Sequence, residues 1–324
     1  MGKRALITGI TGQDGAYLSA FLMKKGYEVY GVARVQSPKE SWRLCELGIE
    51  EKVQLVDARL QDAESMQSML KEIQPDEVYN LASLNFFEER KQKPEEAKMI
   101  NAEGPLHLLD AIVDTCPKAR FFQASTAEMY GTPETTPQDE ETPLHPKSEY
   151  GKEKVIVHEA VHMHREKNNV FGCCGILFNH TSPLRGIDYV VRKITDGVAR
   201  IKLGLTESIA LGNLEAKRDW GFAGDYIEAM WLMLQHDAPD DFVLATGETH
   251  SIREVFDTAF DAADIDDWSS YITQDPAFMR PAEVQEIRGN ADKAKRVLGW
   301  EPTVGFEELV KMMVEADVKR LATT

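Results

Sequence analysis

Cysteine is scarce in this chain. Cys45, Cys116, Cys173 and Cys174 are the four among 324 residues, and none stands at a Cys-x-x-Cys or metal-finger spacing. A disulfide scaffold and a zinc-ribbon class are thereby excluded, and reduced packing thiols in a cytosolic protein are expected. Positive charge is also short: 37 Lys and Arg stand against 54 Asp and Glu, a formal net charge of −17. Nucleic acid and anionic membrane surfaces need clustered positive charge, so neither is an expected partner. Any bound anion must instead be held by a few local Arg or Lys. Long apolar runs are missing as well, which leaves no candidate transmembrane span. Met1-Gly2-Lys3-Arg4 leads straight into a strand-like run with no cleavable leader pattern, so the mature chain is expected to begin there. At 43% hydrophobic and 28% charged residues the chain reads as globular rather than disordered.

The first half alternates short β-branched runs with amphipathic stretches. Strands are expected at Ala5–Thr8, Glu28–Ala33, Val53–Asp57, Glu77–Leu81, Phe121–Ala124 and Phe171–Leu177. Helical spacing marks Asp62–Glu72 and Leu106–Asp114 between them. This cadence predicts an α/β fold, a Rossmann-type doubly wound parallel sheet with helices on both faces. Beyond Asn179 the cadence loosens into helices at Tyr189–Ile201, Asp225–Gln235, Ile252–Ala263 and Phe306–Leu321. The expected division is a cofactor-binding domain over 1–178, with a returning segment near 212–247, and a smaller α/β substrate lobe mainly over 179–324.

Ala5 to Gly15 reads as a strand running into Gly9-x-x-Gly12-x-x-Gly15 and then a helix. Glycines there allow a tight turn and close approach of a dinucleotide pyrophosphate to the helix N-terminus. An NAD site would want an acid at the end of the second strand. Arg34 stands there instead, suited to a 2′-phosphate, so NADP is favoured.

A tyrosine serves as a base only where neighbouring positive charge lowers its pKa, and lysine four residues on along a helix shares its face. Two such pairs exist, Tyr150/Lys154 and Tyr189/Lys193. The first follows a fifth strand ending in Ser125, Thr126 and Glu128, at the sheet edge where the nicotinamide belongs, and is taken as the working pair. The second, beside Val190, Val191 and Ile194, reads as ordinary helix packing. His158-Glu159-Ala160-Val161-His162 matches the HExxH zinc-helix pattern, but Arg165 and Asn168 occupy the positions where the extended form has Gly and a third ligand. No metal is expected. Asn179-His180-Thr181 matches a glycosylation sequon without a secretion signal and is read as fortuitous.

Several segments together resemble the GDP-mannose 4,6-dehydratases, extended short-chain dehydrogenases. They are GITGQDGAYL (9–18), PDEVYNLA (75–82), QASTAEMYG (123–131), YGKEK (150–154), GILFNHTSPLRG (175–186), RKIT (192–195), RDWG (218–221), ATG (245–247), RPAEV (280–284) and LGWEP (298–302). The resemblance implies that Gly9, Thr11, Gly12, Gln13 and Asp14 hold the cofactor pyrophosphate, with Arg34, Lys154, His180 and Arg185 completing the NADP site. It implies catalysis by Thr126, Glu128, Tyr150 and Lys154, and contacts to a GDP-sugar from Asn179, Lys193, Arg218, Arg280 and Glu283. It further implies a homodimer or homotetramer. The chain departs from the family pattern at Ser83–Arg90, at Ala58-Arg59-Leu60, at Arg34-Val35-Gln36-Ser37, and at Ser148-Glu149-Tyr150, where Glu149 puts an extra carboxylate beside the base. The expected reaction is an NADP-dependent internal redox dehydration of GDP-mannose. Its rivals are a 4-epimerase, a 4,6-dehydratase of another nucleotide sugar, and a catalytically dead NADP-binding sensor.

Overall fold

The computed structural model describes residues 2–33, 40–274 and 287–322. Seven strands form one parallel sheet: β1 (Arg4–Thr8), β2 (Glu28–Val32), β3 (Gln54–Val56), β4 (Glu77–Asn80), β5 (Arg120–Thr126), β6 (Gly172–Leu177) and β7 (Asp241–Leu244). Their order is β7-β6-β5-β4-β1-β2-β3. The α/β doubly wound fold read from the cadence is therefore present. The strand order reverses between β1 and β4, which run parallel, and this is the switch point at which such sheets open a crevice for ligands. β4 and β6 are buried at every position, as strands covered on both faces must be.

Helix α1 (Gln13–Lys24) covers one face, packed against α6 (Ala223–Gln235). The other face carries α2 (Ala63–Ile73), α3 (Gly104–Thr115) and α4 (Glu149–Asn168). Asp62 starts α2 by accepting hydrogen bonds from the Glu64 and Ser65 N–H groups, and Ser148 starts α4 by accepting from Gly151. A separate apolar core joins α5 (Val190–Lys202), α7 (Ile252–Ala262) and α8 (Phe306–Ala322). Arg192 and Asp317 cross it as a buried ion pair 2.7 Å apart. Short strands stitch this part to the sheet's carboxyl edge: Asn179–Thr181 runs parallel to Trp220–Phe222, and Lys217–Arg218 antiparallel to His250–Ser251. Among the described residues no helix is long and apolar enough to cross a membrane.

Candidate active site and cofactor crevice

The turn after β1 is built by backbone proximity. Gly9 has φ +71°, and a Cβ there would lie 2.7 Å from the Ala82 nitrogen; one on Gly15 would lie 2.4 Å from the Gly9 carbonyl oxygen. Only glycine fits at either place. Beside Gly12 the space is open except for the Gly9 oxygen, and no side chain caps α1 there, so its first-turn N–H groups face the crevice. That is the shape and polarity a pyrophosphate needs.

Side chains brace the turn. His180 donates or accepts on both ring nitrogens, with Nε2 2.9 Å from Asp14 Oδ2 and Nδ1 2.8 Å from the Phe178 carbonyl. Burial pushes the Asp14 carboxyl up, but attraction and a hydrogen bond from His180 outweigh it and hold the group at about 2. Ser182 donates to Gln13, and Gln13 to Asp14. Asp14 and His180 thus fasten the turn to the segment after β6. Arg43, which the sequence reading did not single out, donates to the Thr11 and Leu184 carbonyls. With Arg185, Arg192 and Arg320 it lines a cavity of about 400 Å³. Nothing in its sequence neighbourhood signals that role, because both partners are far away in the chain. Arg34 lies outside the described residues.

The carboxyl end of β5 and the first two turns of α4 bring the catalytic candidates together. Thr126 accepts from the Glu128 N–H, and Ser148 donates to Glu128 Oε2 at 2.7 Å. The Tyr150 hydroxyl stands 3.4 Å from Ser83 Oγ. Lys154 Nζ donates to the Ala124 carbonyl at 2.9 Å and sits 5.6 Å from the Tyr150 ring centre. The phenol is not lowered in the chain by itself: burial, with Glu128 adding to it, pushes Tyr150 up to about 12. Lys154 is pushed down to about 8, again by burial. The lowering expected from the Tyr/Lys spacing is thus outweighed here by desolvation of both groups.

The Ser83–Arg90 departure acquires a structure. Asn101 holds Leu84 at both its N–H and carbonyl, each at 2.9 Å, and Arg90 makes a fork to Glu153 at 2.8 and 3.1 Å. Arg90 also lies 5.5 Å from the Tyr150 ring centre. Tyr189, expected as ordinary helix packing, instead precedes α5 and reaches back across the crevice. Its hydroxyl donates to Asn85, its ring meets Phe86, and Arg185 stacks on it 3.6 Å from the ring centre. Hydrophobic Val191 and Ile194 do pack the core, but Tyr189 is one residue outside the helix and free to face the other way. Glu149, the extra carboxylate beside Tyr150, turns outward to Lys152 at 2.6 Å.

Of the residues implied for the sugar nucleotide, Asn179 pairs in register with Trp220, two positions beyond Arg218, so the strand pairing sets those two near each other. Lys193 lies half-buried on α5. Arg280 and Glu283 lie outside the described residues. Asp219 is fully buried and accepts from the Thr246 hydroxyl and the Thr246, Gly247 and Gly289 N–H groups. It fixes RDWG to ATG, a role the motif contains but its sequence does not reveal.

A seven-stranded parallel sheet with its glycine turn at the switch point, and a Tyr/Lys helix facing that turn, define an extended short-chain dehydrogenase/reductase. Residues 6–313 match the sequence model described as GDP-mannose 4,6 dehydratase. The chain belongs to the GDP-mannose 4,6-dehydratase family. It is 47% identical over 328 residues to GDP-mannose 4,6 dehydratase 2 of Arabidopsis thaliana, covering 98% of this chain and 87% of that protein. It is 43% identical over 351 residues to the Homo sapiens GDP-mannose 4,6 dehydratase, covering 100% and 94%. In fold it resembles the solved UDP-glucose 4-epimerase of Thermotoga maritima, with a TM-score of 0.86 at 23% identity over 98% and 99% of the two chains.

Proposed function

We propose that the chain is an NADP-dependent GDP-mannose 4,6-dehydratase, converting GDP-D-mannose to GDP-4-keto-6-deoxy-D-mannose. The observation that carries this reading is the hydrogen bond from Ser148, which starts the helix carrying Tyr150, to Glu128, the candidate second acid/base after β5. Epimerisation at C4 needs no such group, and dehydration does. A sensor with no catalysis would have no use for the full set of Thr126, Glu128, Tyr150 and Lys154.

The uncapped start of α1 and the open space at Gly12 fit a dinucleotide pyrophosphate, with Gly9, Thr11, Gly12, Gln13 and Asp14 forming the turn. Arg43 and Arg185, with Arg34 shortly after the second strand in sequence, support the phosphorylated cofactor over NAD. When bound, NADP would supply a reversible hydride acceptor for the redox change at C4 and C6, with no net reductant consumed. Tyr150 takes the O4 proton. The Lys154 ammonium, held on the Ala124 carbonyl, favours the phenolate that does so. The resulting 4-ketone acidifies the C5 proton, which Glu128 removes. Glu128 or Thr126 then delivers a proton to the departing C6 hydroxyl, and water leaves. Asn179, Lys193 and Arg218, with Arg280 and Glu283, serve the diphosphate and sugar. Free thiols at Cys116, Cys173 and Cys174, all buried, suit a cytoplasmic enzyme, and self-association as a homodimer or homotetramer belongs to the same reading.

A second reading, dehydration of a different GDP-sugar, is favoured by one observation: the divergent Ser83–Arg90 loop places Ser83 against the Tyr150 hydroxyl. The test is mass spectrometry of GDP-mannose incubated with purified protein and a trace of NADP⁺. Loss of one water, in large molar excess over cofactor, is expected. Unchanged GDP-mannose with cofactor bound would move the assignment to another GDP-sugar, and failure to bind either would leave a degenerate, non-catalytic protein. Glu128→Gln should abolish dehydration; turnover that survives it removes Glu128 from the C5 step.

A further inference from the structure

The HExxH helix does not face solvent alone. His158 and His162 are four residues apart on α4 and project from one face toward β6 and β7. Cys174 on β6 and Asp241 on β7 are register partners in that parallel pair, so their side chains leave the sheet on the same side. They meet the two imidazoles: one donor atom from each of His158, His162, Cys174 and Asp241 lies within 4.8 Å of every other. The helix itself carries no further ligand at the later positions of the pattern, where Arg165 and Asn168 stand. The strands provide the missing donors.

We propose that His158, His162, Cys174 and Asp241 form a site for one zinc ion that ties α4 to β6 and β7. Two imidazoles, a thiolate and a carboxylate are a donor set zinc accepts, and neighbouring ligands in a tetrahedral zinc site are roughly 3.3–3.8 Å apart. His158 Nε2 already stands 3.8 Å from Asp241 Oδ2, and His162 Nε2 contacts the same oxygen. Closing the cluster needs side-chain adjustments of about 1 Å or less to reach that spacing.

The surroundings are those of a metal site's outer layer. Ser125 Oγ lies 3.1 Å from His158 Nδ1, which leaves the Nε2 lone pair turned into the cluster. Asp241 Oδ1 is occupied by Arg165 Nη2 at 2.6 Å and the Cys174 N–H at 3.1 Å, leaving Oδ2 for the ion. Zinc would displace the thiol proton, and the thiolate and carboxylate would balance its charge while Arg165 stays on the outer oxygen. The His162 side chain is 43% exposed, giving an entry path. Glu159, the residue that acts as base in zinc proteases, is exposed away from the cluster. With four protein ligands and no open position, the site is structural. It would clamp the helix whose first two turns carry Tyr150 and Lys154.

The test strips the whole protein with a chelator, dialyses it, and titrates it with Co²⁺, then with Zn²⁺ as competitor. One Co²⁺ per chain is expected, with the visible bands of a tetrahedral ion and a thiolate-to-cobalt charge-transfer band, all removed by one equivalent of Zn²⁺. Cys174→Ser should lose the charge-transfer band. His162→Ala, at the exposed rim, should weaken binding roughly a hundredfold or more. Zn²⁺ should raise Tm in the parent and not in His162→Ala. No stoichiometric cobalt, a six-coordinate spectrum without the thiolate band, or affinity unchanged in His162→Ala would each overturn the site and leave an ordinary ion-pair network. Should Cys174→Ser fail to fold, the parent spectrum and His162→Ala decide.

Discussion

Tyr150 and Lys154 show how far one spacing determines chemistry at the scale of a residue. A helix guarantees that side chains four apart share a face, yet burial drives both groups toward their neutral forms, the phenol to about 12 and the ammonium to about 8. Lysine's contribution is therefore best seen as a difference. At 5.6 Å from the ring centre, a unit charge in a partly buried setting is worth about 3 kcal/mol, or about two pKa units. Because the proposed mechanism needs the deprotonated phenol, Lys154→Met should shift the rising limb of the kcat/KM pH profile upward by about that much. Tyr150→Phe should remove the limb and lower kcat by about 10²–10⁴-fold. A Lys154→Met profile with its limb unmoved would mean the ammonium only positions Ala124. Asp14 gives the opposite sign. Its folded pKa of about 2 lies below the ordinary 3.8, so the Asp14–His180 contact stabilises the fold above about pH 4, and that contribution is lost as pH falls toward 2. Unfolding by urea across that window should lose about 2 kcal/mol more in the parent than in Asp14→Asn; parallel curves would show that His180 contributes nothing there.

At the scale of elements, the residue pattern and the fold agree where periodicity is strong. β-branched runs became β1 to β6 within a residue or two of their expected ends, and the amphipathic stretches became α2, α3, α5, α6, α7 and α8. Two- and three-residue strands such as Lys217–Arg218 and Trp220–Phe222 are too short to carry a period, so the stitching of the second core to the sheet is not visible in the chain. The site divides in the same way. Residues on one turn or one strand end, namely Gly9 to Asp14, Thr126 with Glu128, and Tyr150 with Lys154, could be grouped from sequence. Arg43 on Thr11, Asn101 on Leu84 and Tyr189 on Asn85 are tertiary contacts with no local signature. Asp219 is the clearest case, a buried carboxylate holding two distant loops by four hydrogen bonds. Asparagine there keeps the volume but turns a donor toward N–H groups. Asp219→Asn should cost about 3 kcal/mol in urea unfolding, since hydrogen bonds to a charged group contribute about 1.5–3 kcal/mol each. It should also raise KM for GDP-mannose more than it lowers kcat, because Arg218 is displaced. Equal stability with unchanged KM would deny Asp219 its anchoring part.

For the molecule as a whole, a net charge of −17 makes the basic cavity of Arg43, Arg185, Arg192 and Arg320 a local exception, a place where an acidic protein can receive an anion. The outer surface carries a second exception. Along α4 the exposed positions Lys152, Ile156, Glu159, Met163 and Glu166 fall on one stripe, with Ile156 at 48% and Met163 at 40% exposure. A two-fold axis through Glu159 would lay two such helices antiparallel, with Ile156 on the other copy's Met163 and Lys152 on its Glu166, the self-complementary pairing an isologous interface requires. The same axis would set Glu159 against itself, so like charge would oppose the apolar contact at the centre. Light scattering should then find a dimer or a dimer of dimers in the parent. It should find a monomer or a smaller assembly in the double variant Ile156→Lys/Met163→Lys, and slower dissociation on dilution in Glu159→Gln. A lysine pair that leaves the mass unchanged would place the subunit contact on another face, and an unaltered Glu159→Gln would move the axis along the helix.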